Sequence, residues 1–122
     1  MQKLMLVALA LILFASTASP NELSAADLDK RRKALVDLLK EQWEYSLRTN
    51  PEFASILGDR RYNDQSADFS EAAVKHDLAA VKVFLSRLGR IDTTGFPEQV
   101  AINKALLARD LRRHIEDITL KE

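Results

Sequence analysis

Apolar residues recur every three or four positions along three long segments of this chain, which is the spacing of one face of an α-helix. The first segment lies between Ser24 and Pro51, the second follows Ser70, and the third follows Pro97. The positions on these faces are Leu28, Leu35, Leu38, Leu39, Trp43, Ser46 and Leu47 in the first segment, Val74, Leu78, Val81, Leu85 and Leu88 in the second, and Val100, Ala101, Ala105, Leu107, Leu111, Ile115 and Ile118 in the third. The pattern predicts an all-α fold with three amphipathic helices.

Local signals predict the ends of the first helix. Ser24 and Asp27 have the spacing of a capping box, in which the serine oxygen accepts a free backbone N–H at the start of a helix. Asn50 precedes Pro51, and the residue before a proline is pushed out of the helical region. The helix is therefore expected to begin near Ser24 and to end near Thr49.

A short fourth helix is predicted directly after the first. Asn50 is a favourable N-cap residue, Pro51 suits the first helical position, and Gly58 can adopt the left-handed conformation that closes a helix. The segment from Asp59 to Phe69 has no helical or strand period and is rich in side chains that bond their own backbone, so we expect an ordered loop. The short helix carries an apolar face of Phe53, Ile56 and Leu57.

Composition and charge exclude several classes of protein. Hydrophobic residues make up 47% and charged residues 30% of the 122 residues, a mixture typical of a globular chain rather than a disordered one. Lys plus Arg and Asp plus Glu both number 18, so no net charge favours nucleic acid or an anionic membrane. The sequence has no cysteine, which excludes disulfides, thiolate zinc ligands and a cysteine nucleophile.

One basic run, Lys30 to Lys33, raises the alternative of a nucleic-acid or nuclear-import patch. Four consecutive helical positions point around the whole circumference of a helix, and Asp27 and Asp29 lie beside them. We therefore expect a solvated face. The balance of charge also argues against membrane-surface binding through this run.

The N-terminus has the order of an export signal. Lys3 is followed by an apolar run from Leu4 to Ala15 and then by small residues. This run is shorter than the roughly 20 residues that a membrane-spanning helix needs, so a cleaved signal is favoured over an uncleaved anchor. We expect a signal peptide of residues 1–18, with cleavage after Ala26 as the second choice. Residues 19–122 would then be an exported helical segment, in the periplasm or outside the cell.

Catalytic chemistry has few candidates in this sequence. A hydrolytic zinc site needs about three protein ligands, and there are two histidines. His76 is expected to point away from the apolar stripe of its helix, whereas His114 lies beside Ile115 and four residues after Asp110, which suits a local helix pair. Neither is expected to bind a metal ion. The sequence contains no H-E-x-x-H, glycine-rich phosphate loop or G-x-S-x-G motif.

Acidic and aromatic residues concentrate between Glu41 and Phe69. Asp59, Asp64 and Asp68 suggest calcium, but they lack the alternating ligands and the closing glutamate of a calcium loop, so capping and turn roles are favoured. The aromatic residues of this stretch are expected to anchor the core or the loop rather than to form a ligand cage. They are Trp43, Tyr45, Phe53, Tyr62 and Phe69.

Five segments of the chain resemble one bacterial family. They are EQWEY at 41–45, RTNPEFA at 48–54, LGDRRYND at 57–64, IDTTGFPEQ at 91–99 and NKALL at 103–107. Together they look like the N-terminal part of the family named domain of unknown function 885, and the similarity covers nearly the whole chain after the signal peptide. The resemblance implies a mostly helical, often exported protein several times longer, from a family regarded as zinc-dependent peptidases.

The resemblance implies a parent protein and no active site. The family's metal signature, a His-Glu pair followed shortly by Pro-Gly-His-His far downstream, is absent, so no catalytic or metal-binding residue is expected in this chain. Zinc and a peptide substrate are expected only in a full-length member. The last apolar stripe reaches the C-terminus without a stop signal, which suggests a truncated product or a fragmentary gene model. We therefore expect exposed apolar helix faces, marginal stability and self-association.

Asp59, Tyr62 and Asn63 are the candidates for a wall of the substrate cleft in such a parent, because they lie in an ordered polar loop between two packed helices. Structural capping is the simpler interpretation of the same residues. For the whole chain, the alternative is a self-contained periplasmic helical module that binds another protein. Neither nucleic acid nor a stable membrane anchor is expected.

Overall fold

The computed structural model describes residues 24–121, and the predicted signal peptide lies outside them. Within this range all regular secondary structure is helical, which confirms the predicted all-α class. The elements are α1 (Ala25–Thr49), α2 (Pro51–Ile56), a 3₁₀ turn (Arg60–Tyr62), α3 (Glu71–Gly89) and α4 (Glu98–Thr119). Three of these are the predicted long helices, and α2 is the predicted short one.

Hydrogen bonds at the helix ends explain these boundaries. The hydroxyl of Ser24 accepts from the backbone N–H of Asp27 at 3.1 Å, as predicted, and Ser70 accepts in the same way from the first turn of α3 at 3.2 Å. Asn50 differs from its predicted role as the side-chain cap of α2. Its amide donates to the carbonyl of Ser46 at 3.1 Å and therefore binds the last turn of α1.

The core lies where α1 and α4 pack against α3. Tyr45 meets Phe84 edge-on, with ring centroids 5.4 Å apart, and Leu88 is fully buried beside them. The buried residues of this cluster are Leu35, Leu38 and Tyr45 of α1, Val81, Phe84 and Leu88 of α3, and Leu111 of α4. The predicted apolar faces of α3 and α4 therefore supply their sides of the core.

The buried face of α1 differs from the predicted one. Tyr45 follows Leu38 by two helical turns and is buried, whereas Trp43 is 47% exposed. Leu47 is also buried, but it lies outside the core cluster, near the junction of α1 with α2. The predicted stripe had joined two different faces of α1, one that packs on α3 and one that packs near α2.

The apolar face predicted for α2 does not point into the protein. This helix buries Pro51 and Ala54 instead, and Gly58 closes it with the predicted left-handed backbone, at a φ of 85°. The three residues of the predicted face are exposed: Phe53, Ile56 and Leu57. A helix of six residues has too short an apolar stripe to fix which side packs against α1.

Large apolar side chains are exposed on each of the four helices. Val36 lies on α1, Ile56 on α2, Val83 on α3, and Ile102 and Leu106 on α4. Self-association through such faces stays a prediction. None of the helices within residues 24–121 is long and apolar enough to cross a membrane.

The basic run is not a uniformly solvated face, because Arg31 is largely buried. Its Nη1 donates to the carbonyl oxygens of Asp92 and Thr94, at 2.6 and 3.0 Å, and its guanidinium lies 5.4 Å from the ring centre of Phe96. The Nε of Arg31 also donates to the carboxylate of Asp27 at 3.1 Å. The other three residues of the run are exposed, as predicted. Arg31 therefore ties the loop between α3 and α4 to the start of α1.

Candidate functional site

An open groove with a volume of about 1010 Å³ lies between α1, α3 and α4. Its floor includes the buried side chains of Val81, Phe84 and Leu111, and the loop segment 65–69 borders one end. Exposed aromatic side chains stand at its rim, namely Trp43, Phe53 and Phe69. A concavity with an apolar floor and aromatic edges is typical of a surface that binds another apolar group.

Three of the predicted aromatic anchors lie exposed at the rim of the groove. Trp43 and Phe53 pack edge-on, with ring centroids 6.3 Å apart, but each is nearly half exposed. Phe69 is 84% exposed. The sequence predicted that they anchor the core or the loop, and none of these three residues belongs to the core cluster. Tyr45 is a core anchor, and Tyr62 is partly buried in the loop.

Tyr45, Asp77 and His114 form a hydrogen-bonded network across three helices at this groove. The hydroxyl of Tyr45 donates to Oδ1 of Asp77 at 2.7 Å, and Nε2 of His114 lies 2.6 Å from Oδ2 of the same carboxylate. All three residues line the groove. His114 thus pairs with α3 and not with Asp110 of its own helix, as its spacing had suggested. One carboxylate therefore links α1 and α4 through α3.

Burial raises the pKa of the Tyr45 hydroxyl, and the hydrogen bond to the Asp77 carboxylate raises that pKa further. The phenol is partly withdrawn from water, and its ionised form would lie beside another negative charge. Tyr45 therefore stays neutral and acts as a hydrogen-bond donor at all ordinary pH values.

This shift predicts how stability depends on alkaline pH. The pKa of Tyr45 is raised in the folded protein, so its contribution to stability is complete below the unfolded value of about 10 and is lost as the pH rises above it. We expect the Tyr45→Phe variant to be less stable than the native chain at pH 8 but to lose less stability between about pH 10 and 12. The difference in slope is at most about 1.4 kcal/mol per pH unit. Urea unfolding followed by circular dichroism at several pH values measures it.

The Tyr62→Phe variant is the matched control for this measurement. Tyr62 is only partly buried and lies 5.3 Å below the guanidinium of Arg61. Its replacement removes a phenol without removing the link to Asp77. Equal pH slopes for the Tyr45→Phe variant and the native chain would contradict the assignment.

Asp59, Tyr62 and Asn63 do not line this groove. The carboxylate of Asp59 accepts from the backbone N–H of Arg61 at 3.1 Å and from its guanidinium, which also donates to Glu44 of α1 at 2.8 Å. The guanidinium of Arg61 holds the pKa of Asp59 below its usual range. Asn63 accepts a hydrogen bond from the hydroxyl of Ser55 at 2.7 Å. These contacts fix the loop on α1 and α2, and a role in a substrate cleft stays a prediction.

A second contact holds the part of the loop that does reach the groove. The carboxylate of Glu52 accepts from the backbone N–H of Ala67 at 3.1 Å, and this hydrogen bond lowers the pKa of Glu52. Asp68 accepts from the backbone N–H of Ser70 at the start of α3. Asp59 and Asp68 therefore act as turn and cap acceptors, as predicted for the acids of this stretch.

Neither histidine lies in a metal-binding cluster. His76 and His114 both border the groove. Among residues 24–121, however, no three side chains of His, Cys, Asp or Glu are grouped so that they could hold a metal ion. The donor set in this part of the chain does not fit a zinc site, which needs about three protein ligands.

Comparison of the chain with protein-family models, curated proteins and solved structures finds no match. The resemblance to the family named domain of unknown function 885 therefore rests on the five sequence segments alone. Two of these segments lie at junctions of the fold. Segment 57–64 contains the Arg61 contact to α1, and segment 91–99 contains the loop residues that Arg31 holds and the start of α4.

Proposed function

We propose that this chain is the N-terminal helical segment of an exported metallopeptidase of the domain of unknown function 885 family, and that it is inactive alone. The observation that carries the proposal is the open groove, whose apolar floor and aromatic rim are typical of a unit that packs against a larger body. In such an enzyme, zinc and the groups that activate water belong to the catalytic body. The segment would form one wall of the substrate cleft.

A self-contained periplasmic interaction module is the alternative function. It is supported by the same groove, which would then bind a separate protein. The two functions differ in whether the catalytic body is encoded with this segment.

Sequencing the DNA that follows codon 122 in the source genome tests the proposal. We expect a reading frame that encodes the His-Glu and Pro-Gly-His-His residues of the family's metal signature. Unrelated sequence at that place would overturn the peptidase proposal and favour the interaction module.

The full-length product also tests the predicted cleft wall. If Asn63 contacts substrate, the Asn63→Ala variant lowers kcat/KM for a peptide, whereas the Ser55→Ala control, which removes the same hydrogen bond, does not. Tyr62→Phe keeps the ring under Arg61 and removes only the hydroxyl. Unchanged turnover in both the Asn63 and the Tyr62 variants, with unchanged stability, would assign these residues to the structure of the loop alone.

A further inference from the structure

The α4 wall of the groove carries two carboxylates at helical spacing. Asp110 and Asp117 both line the groove, and they are seven residues apart, so they lie on one side of α4 at a separation of about 10.5 Å along its axis. His114 lies between them and is held by Asp77. Asp110 approaches Arg109 at 3.5 Å, and Lys121 follows at the end of this wall.

The opposite wall has a different charge. Arg48 of α1 lines the groove and lies over the ring of Tyr45, with its guanidinium 5.6 Å from the ring centre. Asp68 borders the groove from the loop and is occupied as the acceptor of Ser70. An occupant would therefore meet two carboxylates and, at their end, the ammonium of Lys121 on the α4 side, a cation on the α1 side and apolar side chains beneath.

The groove can bind a guest through its shape and its side chains, but not through backbone hydrogen bonds to a strand edge. Within the described part of the chain there is no strand whose edge could pair with an extended peptide. A guest that enters an apolar groove must satisfy its own backbone hydrogen bonds, and a helix does so internally. The two carboxylates are about 10.5 Å apart along α4, so a guest helix must present at least two turns of about 5.4 Å to meet both.

We propose that this groove binds one amphipathic helix of the same polypeptide's catalytic body, with basic residues seven positions apart facing Asp110 and Asp117. The apolar stripe of the guest covers Val81, Phe84 and Leu111, and its basic flank pairs with the α4 wall. The source of the helix rests on the proposed function, whereas the chemistry of the groove does not. A helix of this pattern is recognised by its apolar anchors and oriented by the two carboxylates.

Fluorescence of Trp43 tests the proposal, since this is the only tryptophan of the chain and stands at the rim of the groove. The probe is a capped synthetic helix of about 16 residues with leucines at i, i+3, i+4 and i+7 and two lysines seven positions apart beside that stripe. A second peptide has glutamates in place of the two lysines. We expect the lysine peptide to shift the emission of Trp43 to shorter wavelength in a saturable way, and the glutamate peptide to bind at least about tenfold more weakly.

Substitutions on α4 test the two carboxylates. The double variant Asp110→Asn, Asp117→Asn should lower the affinity for the lysine peptide by roughly tenfold and remove the preference between the two peptides. Glu116→Gln is the matched control, because Glu116 is an exposed acid of α4 that does not line the groove, and it should leave both affinities unchanged. Equal binding of the two peptides, or an unchanged affinity in the double variant, would overturn the proposal.

Three further outcomes distinguish the possible occupants of the groove and the two proposals. Sedimentation that shows a dimer of the native chain and a monomer of the double variant would place a second copy in the groove and overturn the proposal. Peptide binding together with unrelated DNA after codon 122 would overturn the assignment of the helix to the same polypeptide. Failure of the titration alongside an intact downstream frame would overturn the docking proposal and leave the peptidase proposal supported.

Discussion

The Leu88→Ala variant is expected to lose about 3 kcal/mol of its free energy of unfolding. Leu88 is 0% exposed and lies in the cluster where α1 and α4 meet α3, so truncation removes buried methyl groups and leaves a cavity among packed neighbours. Small domains are stable by only about 5–15 kcal/mol, so this change removes a large share of the total. Urea unfolding followed by circular dichroism measures the loss.

Leu106→Ala is the control for the same chemical change. Leu106 lies on α4 and is 43% exposed, so its truncation is expected to cost less than about 1 kcal/mol. Both variants remove the same side-chain atoms from a helix. Equal losses in the two variants would show that α3 does not bury Leu88 in a packed core.

Local signals predicted the parts of this fold that depend on neighbouring residues. The cap at Ser24 and the left-handed Gly58 each need only the next few positions, and the α3 stripe needs only its own period. The short apolar face of α2 was wrong for the opposite reason. Which side of a six-residue helix is buried depends on the helices it packs against, and here Ala54 is buried while Phe53 is 43% exposed.

The network at the groove could not be predicted from spacing, because its members are distant in the chain. Tyr45 and Asp77 are 32 residues apart, and Asp77 and His114 are 37 residues apart. Sequence spacing identifies partners on one helix, which is why Asp110 appeared to be the partner of His114. Only the packing of α1 and α4 on α3 brings the three side chains together. The groove also depends on how these helices pack on one another, which the apolar periodicity of a single helix does not predict.

The burial of Arg31 could not be predicted for a related reason. A run of charged residues predicts a solvent-exposed face, whereas Arg31 is buried by a loop that lies more than 60 residues away in the sequence. The guanidinium donates to two backbone carbonyls and packs against Phe96, with 15% of the side chain exposed. One nitrogen of the guanidinium, Nη1, therefore donates to two acceptors in the loop between α3 and α4. Lys104 donates to the carbonyl of Ile91 in the same loop, so a second cation supports the arrangement.

The Arg31→Ala variant is therefore expected to lose about 2–3 kcal/mol of stability, since hydrogen bonds from a charged donor contribute more than neutral ones and the contact with Phe96 is lost as well. Arg31→Lys should recover only part of this loss, because one ammonium can replace the Nη1 donor but not also the Nε–H bond to Asp27 and the planar contact with Phe96. Lys33→Ala, in the same basic run, removes an exposed pair with Asp37 and should cost less than about 0.5 kcal/mol. Urea unfolding of the three variants measures their free energies of unfolding. Equal small losses for Arg31→Ala and Lys33→Ala would show that Arg31 does not stabilise the loop and that the whole basic run is a solvated face.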